Sequence, residues 1–163
     1  VFDLVRFFGG DVKTVQAMFH SVTPTQFAYL VNLRFASGAV GQLDLNGLEC
    51  HQGFRDIIEI LQLVGLGTHV MCEDMLYLKW QDREDFTDAA AYTGRYIHSF
   101  RPTASTASAG RRMLGYETEV AHFARRCLGL VEGGPDLWDS YKALQIGEAV
   151  YTSAHENRTV EIE

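Results

Sequence analysis

The sequence has little cysteine and little proline, and it has no excess of positive charge. Only three of its 163 residues are cysteines and three are prolines. Cys50, Cys72 and Cys127 form neither a CxxC pair nor a metal-ligand spacing, and their odd number argues against a disulfide framework. We therefore expect three reduced thiols, no metal site and a cytoplasmic protein.

Charge and hydropathy argue against two further classes of partner. The formal net charge is -7, whereas nucleic acids and membrane surfaces attract basic faces, so we expect neither as a partner. No apolar run approaches the roughly 18 residues that a membrane-spanning helix needs. The remaining composition is that of a globular protein, with 47% hydrophobic and 21% charged residues. Its length predicts one domain, covering residues 1–163.

Motifs that announce a cofactor or a catalytic nucleophile are also missing. The sequence contains no GxGxxG, no phosphate-binding loop, no GxSxG and no HExxH, so we expect no cofactor-binding residue in this chain. It begins with Val1 rather than Met, inside a helical pattern that ends at Gly9-Gly10. We expect a piece of a longer protein.

The clearest structural signal is a β-hairpin that follows a predicted strand over residues 12–22. Apolar residues alternate along 29–35 and again along 39–45, and Ala36-Ser37-Gly38 lies between the two runs. A three-residue loop with a left-handed glycine predicts a bulged hairpin. Its register pairs Phe35 with Ala39 and Val31 with Leu43, which collects the apolar side chains on one face.

The rest of the chain predicts more strands and then helices. Strands are expected over 57–64, 69–72 and 75–80, with a turn at 65–68, and 82–113 is expected to be a long loop or insertion because its periodicity fails. A helix with an apolar stripe follows from Tyr116 to Val131. After Gly133-Gly134-Pro135, Asp136 is a natural N-cap for a second helix, and a strand is expected over 159–162. The apolar stripe expected on the second helix consists of Leu137, Tyr141, Leu144, Tyr151 and Ala154.

Strands followed by helices predict an α+β fold. We expect an open, mainly antiparallel sheet with helices packed on one face, while the other face is available for dimerisation. The polar stretch 46–55 interrupts two strands and carries ring-bearing and charged groups. Such loops often contact ligands, although a solvated connection is an equal alternative.

Several segments in this order resemble the Gfo/Idh/MocA oxidoreductases, the family of glucose-fructose oxidoreductase and inositol dehydrogenase. The segments are residues 1–12, 31–41, 58–60, 115–119 and 139–144. The resemblance implies that this chain is the C-terminal substrate-binding and dimerisation domain. NAD or NADP would then be bound mainly by an N-terminal Rossmann domain that is absent here, and this chain alone would be inactive.

The resemblance also implies site residues. Asp3 matches the aspartate of the family's His-x-x-Asp motif, so it would support the main acid/base histidine, which is expected just before Val1. In the loop, Phe54 stands where the inositol dehydrogenase pattern has a substrate-contacting tyrosine, and this difference puts inositol itself in doubt. His51, Gln52 and Arg55 are the neighbouring candidates for binding a sugar-like substrate.

Two functions follow as alternatives. In the first, the intact protein is an NAD(P)-dependent oxidoreductase that acts on a sugar, a sugar derivative or a cyclitol, and this chain is its substrate-binding and oligomerisation domain. In the second, the chain is a non-catalytic module that binds a ligand or only dimerises. A glycine-rich βα turn and a histidine upstream of Val1 in the gene would favour the enzyme.

Overall fold

The computed structural model describes residues 1–48, 59–73, 77–82, 96–100 and 115–163. It has the predicted α+β composition. In chain order the elements are α1 (Phe2–Gly9), β1 (Val12–Thr23), β2 (Gln26–Phe35), β3 (Val40–Asn46), β4 (Ile60–Gly65), β5 (Thr68–Glu73), β6 (Tyr77–Asp82), β7 (Tyr96–Phe100), α2 (Tyr116–Cys127), α3 (Leu137–Glu156) and β8 (Val160–Glu161).

The chain divides into two compact units. The first contains Val1–Cys50 and Gly133–Glu163, and the second contains His51–Glu132. That residues 1–163 form a single domain stays a prediction.

The sheet of the first unit has the order β3-β2-β1-β8, and all of its neighbouring strands are antiparallel. The predicted hairpin register is confirmed. Val31 lies opposite Leu43, and the backbone N–H of Phe35 donates to the carbonyl of Ala39 at 2.9 Å. Gly38 has a φ of 90°, the left-handed conformation that the short loop requires and that only glycine adopts without strain.

One face of this sheet is covered by α3, which packs on β1, and α1 packs in turn on α3. Apolar side chains of β1, β2 and α3 form the core. They are Val12, Val15, Ala17, Val31, Leu33, Phe35, Ile146, Ala149 and Val150. Burying these side chains removes apolar area from water, at about 25 cal/mol per Å², and this is the main force that holds α3 on the sheet.

The side of α3 that faces the sheet differs from the prediction. Ile146, Ala149, Val150 and Ser153 are buried, whereas four of the five residues of the predicted stripe are exposed. Those four are Leu137, Tyr141, Leu144 and Tyr151. Small side chains such as Ala149 and Ser153 let the helix backbone approach β1 closely. The prediction placed the largest side chains of α3 on the buried face and therefore chose the wrong side of the helix.

The sheet of the second unit has the order β4-β5-β6-β7, again antiparallel throughout. The predicted turn is confirmed, since Gly65 lies opposite Thr68 with two residues between them. Cross-strand pairing collects half-buried apolar side chains on one face. They are Leu61, Leu63, Val70, Cys72, Leu78 and Trp80.

Two boundaries in the second unit correct the predictions. The expected loop over 82–113 contains strand β7, which pairs with β6 through five residue pairs from Leu78–Phe100 to Asp82–Tyr96. Such pairing is non-local, so the periodicity of the surrounding sequence did not indicate it. Helix α2 ends at Cys127 rather than Val131, because Gly129 adopts a φ of 68° and Leu130 N–H bonds the carbonyl of Arg125 at 2.9 Å. No helix in the described ranges is long and apolar enough to cross a membrane.

Candidate functional site

Asp3 lies in the first turn of α1, and its side chain is exposed. Within the described parts of the chain it takes part in no hydrogen bond or ion pair. The side chain is therefore free to face a group outside the described residues.

Apolar contacts and one close backbone approach hold helix α1 against the rest of the first unit. Phe2 and Val5 pack against the core of the first unit, and Phe2 lies beside Gly147 of α3. Gly9 at the other end lies against the ring of Phe35, so closely that any Cβ there would collide with the ring. Any side chain at position 9 would push α1 away from the sheet.

The polar contact of α1 is made by Arg6, one helical turn after Asp3. Its Nη1 donates to both the backbone carbonyl and the Oδ1 of Asp139, each at 3.2 Å. Its Nη2 donates to Asp11 Oδ1 at 3.3 Å. Only 15% of the Arg6 side chain is exposed, and its Nε has no hydrogen-bond partner in the described residues. Arg6 was not among the candidates predicted from the sequence, although it is the one cation of α1.

Asp139 also belongs to the cap of α3. The side chain of Asp136 accepts from the backbone N–H groups of Trp138 and Asp139, at 2.8 and 3.0 Å. Asp139 Oδ2 in return accepts from the N–H of Asp136 at 3.1 Å, which completes a capping box and confirms Asp136 as the predicted N-cap. One carboxylate thus serves both the helix cap and Arg6.

The face of the first unit's sheet that is opposite to α3 is largely polar. A shallow depression of about 690 Å³ there is lined by Thr14, Gln16, Asn32, Leu33, Arg34, Val40, Gly41, Gln42 and Thr159. The side-chain amides of Gln16, Asn32 and Gln42 lie next to one another across β1, β2 and β3 and form an amide row. The next pair along β1 and β2 on this face is formed by the exposed apolar residues Met18 and Leu30. This face therefore combines polar side chains with a few exposed apolar ones.

The loop candidates His51, Gln52, Phe54 and Arg55 lie outside the described residues, so their roles stay predictions. Elsewhere in the chain, where the structure gives positions, no three His, Cys, Asp or Glu side chains are grouped to hold a metal ion. Asp3 is thus the one predicted site residue whose surroundings can be described.

Solved structures of several oxidoreductases share this fold. An oxidoreductase from Agrobacterium radiobacter, in complex with NAD+, L-tartaric acid and magnesium, matches 98% of this chain with 46% of its own, at 20% identity and a TM-score of 0.71. The WlbA dehydrogenase from Chromobacterium violaceum, in complex with NADH and UDP-GlcNAcA, matches 99% with 43% of its own, at 16% identity and a TM-score of 0.67. The myo-inositol 2-dehydrogenase from Lactobacillus plantarum matches 99% with 46% of its own, at 16% identity and a TM-score of 0.56.

These structures are Gfo/Idh/MocA oxidoreductases, and the chain shares its fold with part of each of them. It spans less than half of the length of these structures. No protein-family model and no curated protein sequence matches it. The fold expected from the sequence resemblance is therefore confirmed by structural similarity, at sequence identities that do not carry over substrates or residue roles.

Proposed function

We propose that this chain is the substrate-binding and oligomerisation domain of an NAD(P)-dependent oxidoreductase. The intact protein moves a hydride between a nicotinamide ring and a carbon of a sugar, a sugar derivative or a cyclitol. The observation that carries the proposal is the match of almost the whole chain to less than half of an oxidoreductase bound to NAD+. The dinucleotide is held mainly by a domain outside this chain.

The neighbours' ligands support the substrate class. One matched protein holds L-tartaric acid, a second holds UDP-GlcNAcA and a third is a myo-inositol 2-dehydrogenase, and all three compounds carry several hydroxyl groups. Oxidising a carbinol leaves a hydroxyl proton for a nearby base, and an exposed carboxylate at the start of α1 can orient that base or accept a hydroxyl hydrogen bond. Asp3 has this exposure and lacks a competing partner among the described residues.

The test is an assay of the complete natural protein that contains this chain. We expect absorbance from NADH or NADPH to rise when the protein is mixed with the oxidised cofactor and one member of a panel of sugars, sugar acids and cyclitols. Asp3→Asn should lower kcat/KM about 10- to 100-fold, because the carboxylate is replaced by a neutral group of equal size. Glu156→Gln, at an exposed carboxylate in the last turn of α3, is the matched control and should leave turnover unchanged.

The isolated chain provides a second measurement. We expect calorimetry to detect no binding of NAD or NADP to residues 1–163, because the dinucleotide site belongs to the other domain. Clear binding of NAD or NADP to this chain would contradict the proposal that the dinucleotide site belongs to another domain. Absence of turnover by the complete protein with every substrate in the panel would instead favour the alternative, a module that binds a ligand or only dimerises.

A further inference from the structure

The guanidinium of Arg6 is the polar link between α1 and two other elements of the first unit. It contacts Asp139 in the first turn of α3 and Asp11 just before β1. The Asp139 contact is double, through a backbone carbonyl and a carboxylate oxygen, and is the less exposed of the two. Two contacts from one planar group restrict both the distance and the rotation of the helix that carries it.

Apolar packing alone would restrict the position and rotation of α1 much less than the contacts of Arg6 do. Phe2 and Val5 touch the core, but hydrophobic contacts have no direction, and a helix can slide or rotate about its axis while keeping them. The polar contacts of Arg6 supply the direction that these apolar contacts lack.

We infer that Arg6 is a positioning residue that fixes α1, and with it Asp3, against the capped end of α3. The effect of Arg6 on catalysis rests on the proposed function, because the position of Asp3 changes turnover only if Asp3 faces the reacting hydroxyl or its base. The placement of α1 can be tested without that assumption. Arg6 acts through α1 and does not itself touch the substrate.

Amide hydrogen exchange of the 163-residue chain, followed by NMR, tests the placement. The amides to follow are those of Val5 and Gly10, which bond the carbonyls of Val1 and Arg6. Arg6→Met keeps the apolar stem and removes the charge; it should raise exchange at these amides about tenfold or more, while Val31 in the centre of the sheet changes less than about twofold. Arg6→Lys should fall between Met and the natural residue, because lysine keeps the charge but cannot make the double contact.

Substitutions of the two partners separate their contributions. Asp139→Asn should reproduce part of the Arg6→Met effect at Val5 and Gly10. Asp11→Asn, at a carboxylate 63% exposed, should have little effect, since exposed ion pairs contribute little. Unchanged exchange in α1, or an equal rise at Val31 that signals global unfolding, would overturn the inference.

The complete protein gives a readout that global destabilisation would not produce. If Arg6 positions Asp3, Arg6→Met should lower kcat about tenfold or more with KM changed less than about threefold, and Arg6→Lys should restore part of kcat. A KM effect with unchanged kcat would contradict the positioning role. If the complete protein turns over no substrate at all, the proposed function fails, and the exchange measurement alone then decides whether Arg6 fixes α1.

Discussion

At the scale of single residues, the most constrained polar group in the first unit is the hydroxyl of Ser153. The side chain is fully buried on α3. Its Oγ accepts from the N–H of Ala17 at 2.8 Å and donates to the carbonyl of Arg158 at 2.6 Å. One hydroxyl therefore satisfies a backbone group of β1, just beyond its pairing with β8, and a backbone group of the turn after α3.

Ser153→Ala leaves both of these backbone groups without their partner. We expect the free energy of unfolding to fall by about 1–3 kcal/mol, which is the usual result of leaving a buried hydrogen-bonding group unpaired. Urea denaturation of the 163-residue chain measures it. Ser140→Ala on the same helix is the control and should change stability by less than about 0.5 kcal/mol, because water can replace its exposed hydrogen bond. Equal urea midpoints for the natural chain and the Ser153→Ala variant would show that the hydroxyl does not contribute to stability.

The sequence did not single out Ser153 or Arg6, and the reason is the same for both. Each has a partner far away in the chain, Ala17 at 136 residues from Ser153 and Asp139 at 133 residues from Arg6. No local pattern relates such residues, so their pairing becomes visible only after the sheet and α3 are assembled. Asp3 was proposed from a motif resemblance, and its chemistry likewise depends on groups outside the described residues.

At the scale of elements, the start of α3 is fixed by the capping box of Asp136 and Asp139. Asp136→Ala removes the acceptor for two backbone N–H groups, and we expect it to lower stability by about 1 kcal/mol. Thermal unfolding followed by circular dichroism measures this change. Glu148→Ala in the exposed middle of the same helix is the control, and we expect little change there. An Asp136→Ala chain as stable as this control would show that the cap contributes nothing.

Elements set by local chemistry were predictable, and those set by tertiary contacts were not. The hairpin register follows from alternation and from Gly38, and the start of α3 follows from Asp136; both were found from the sequence. The buried face of α3 was assigned to its large side chains, although Glu148 lies one turn after Leu144 and interrupts that stripe. The small residues Ala149 and Ser153 are buried because the sheet comes close there, which the helix sequence does not disclose.

At the scale of the whole molecule, the face of the first unit's sheet that is opposite to α3 is the surface that we propose for the oligomer. It combines the amide row Gln16–Asn32–Gln42 with the exposed neighbours Met18 and Leu30. Two copies of such a face can meet around a two-fold axis, so that each amide side chain finds a hydrogen-bonding partner and the apolar side chains are removed from water. The polar content limits how much of the association is hydrophobic.

This surface leads to a prediction about association. We expect size exclusion with light scattering to give a dimer for the 163-residue chain, and Leu30→Lys to raise the dimer dissociation constant about tenfold or more, because burying an ammonium group in the interface is costly even beside a carboxylate. Within one copy the new lysine lies opposite Asp44 on β3, so the fold of the monomer should be kept. Leu137→Lys is the matched control, at a leucine 88% exposed on α3, and should leave the dissociation constant unchanged. A natural chain that stays monomeric at high concentration, or a control that dissociates as Leu30→Lys does, would place the interface elsewhere than on this sheet face.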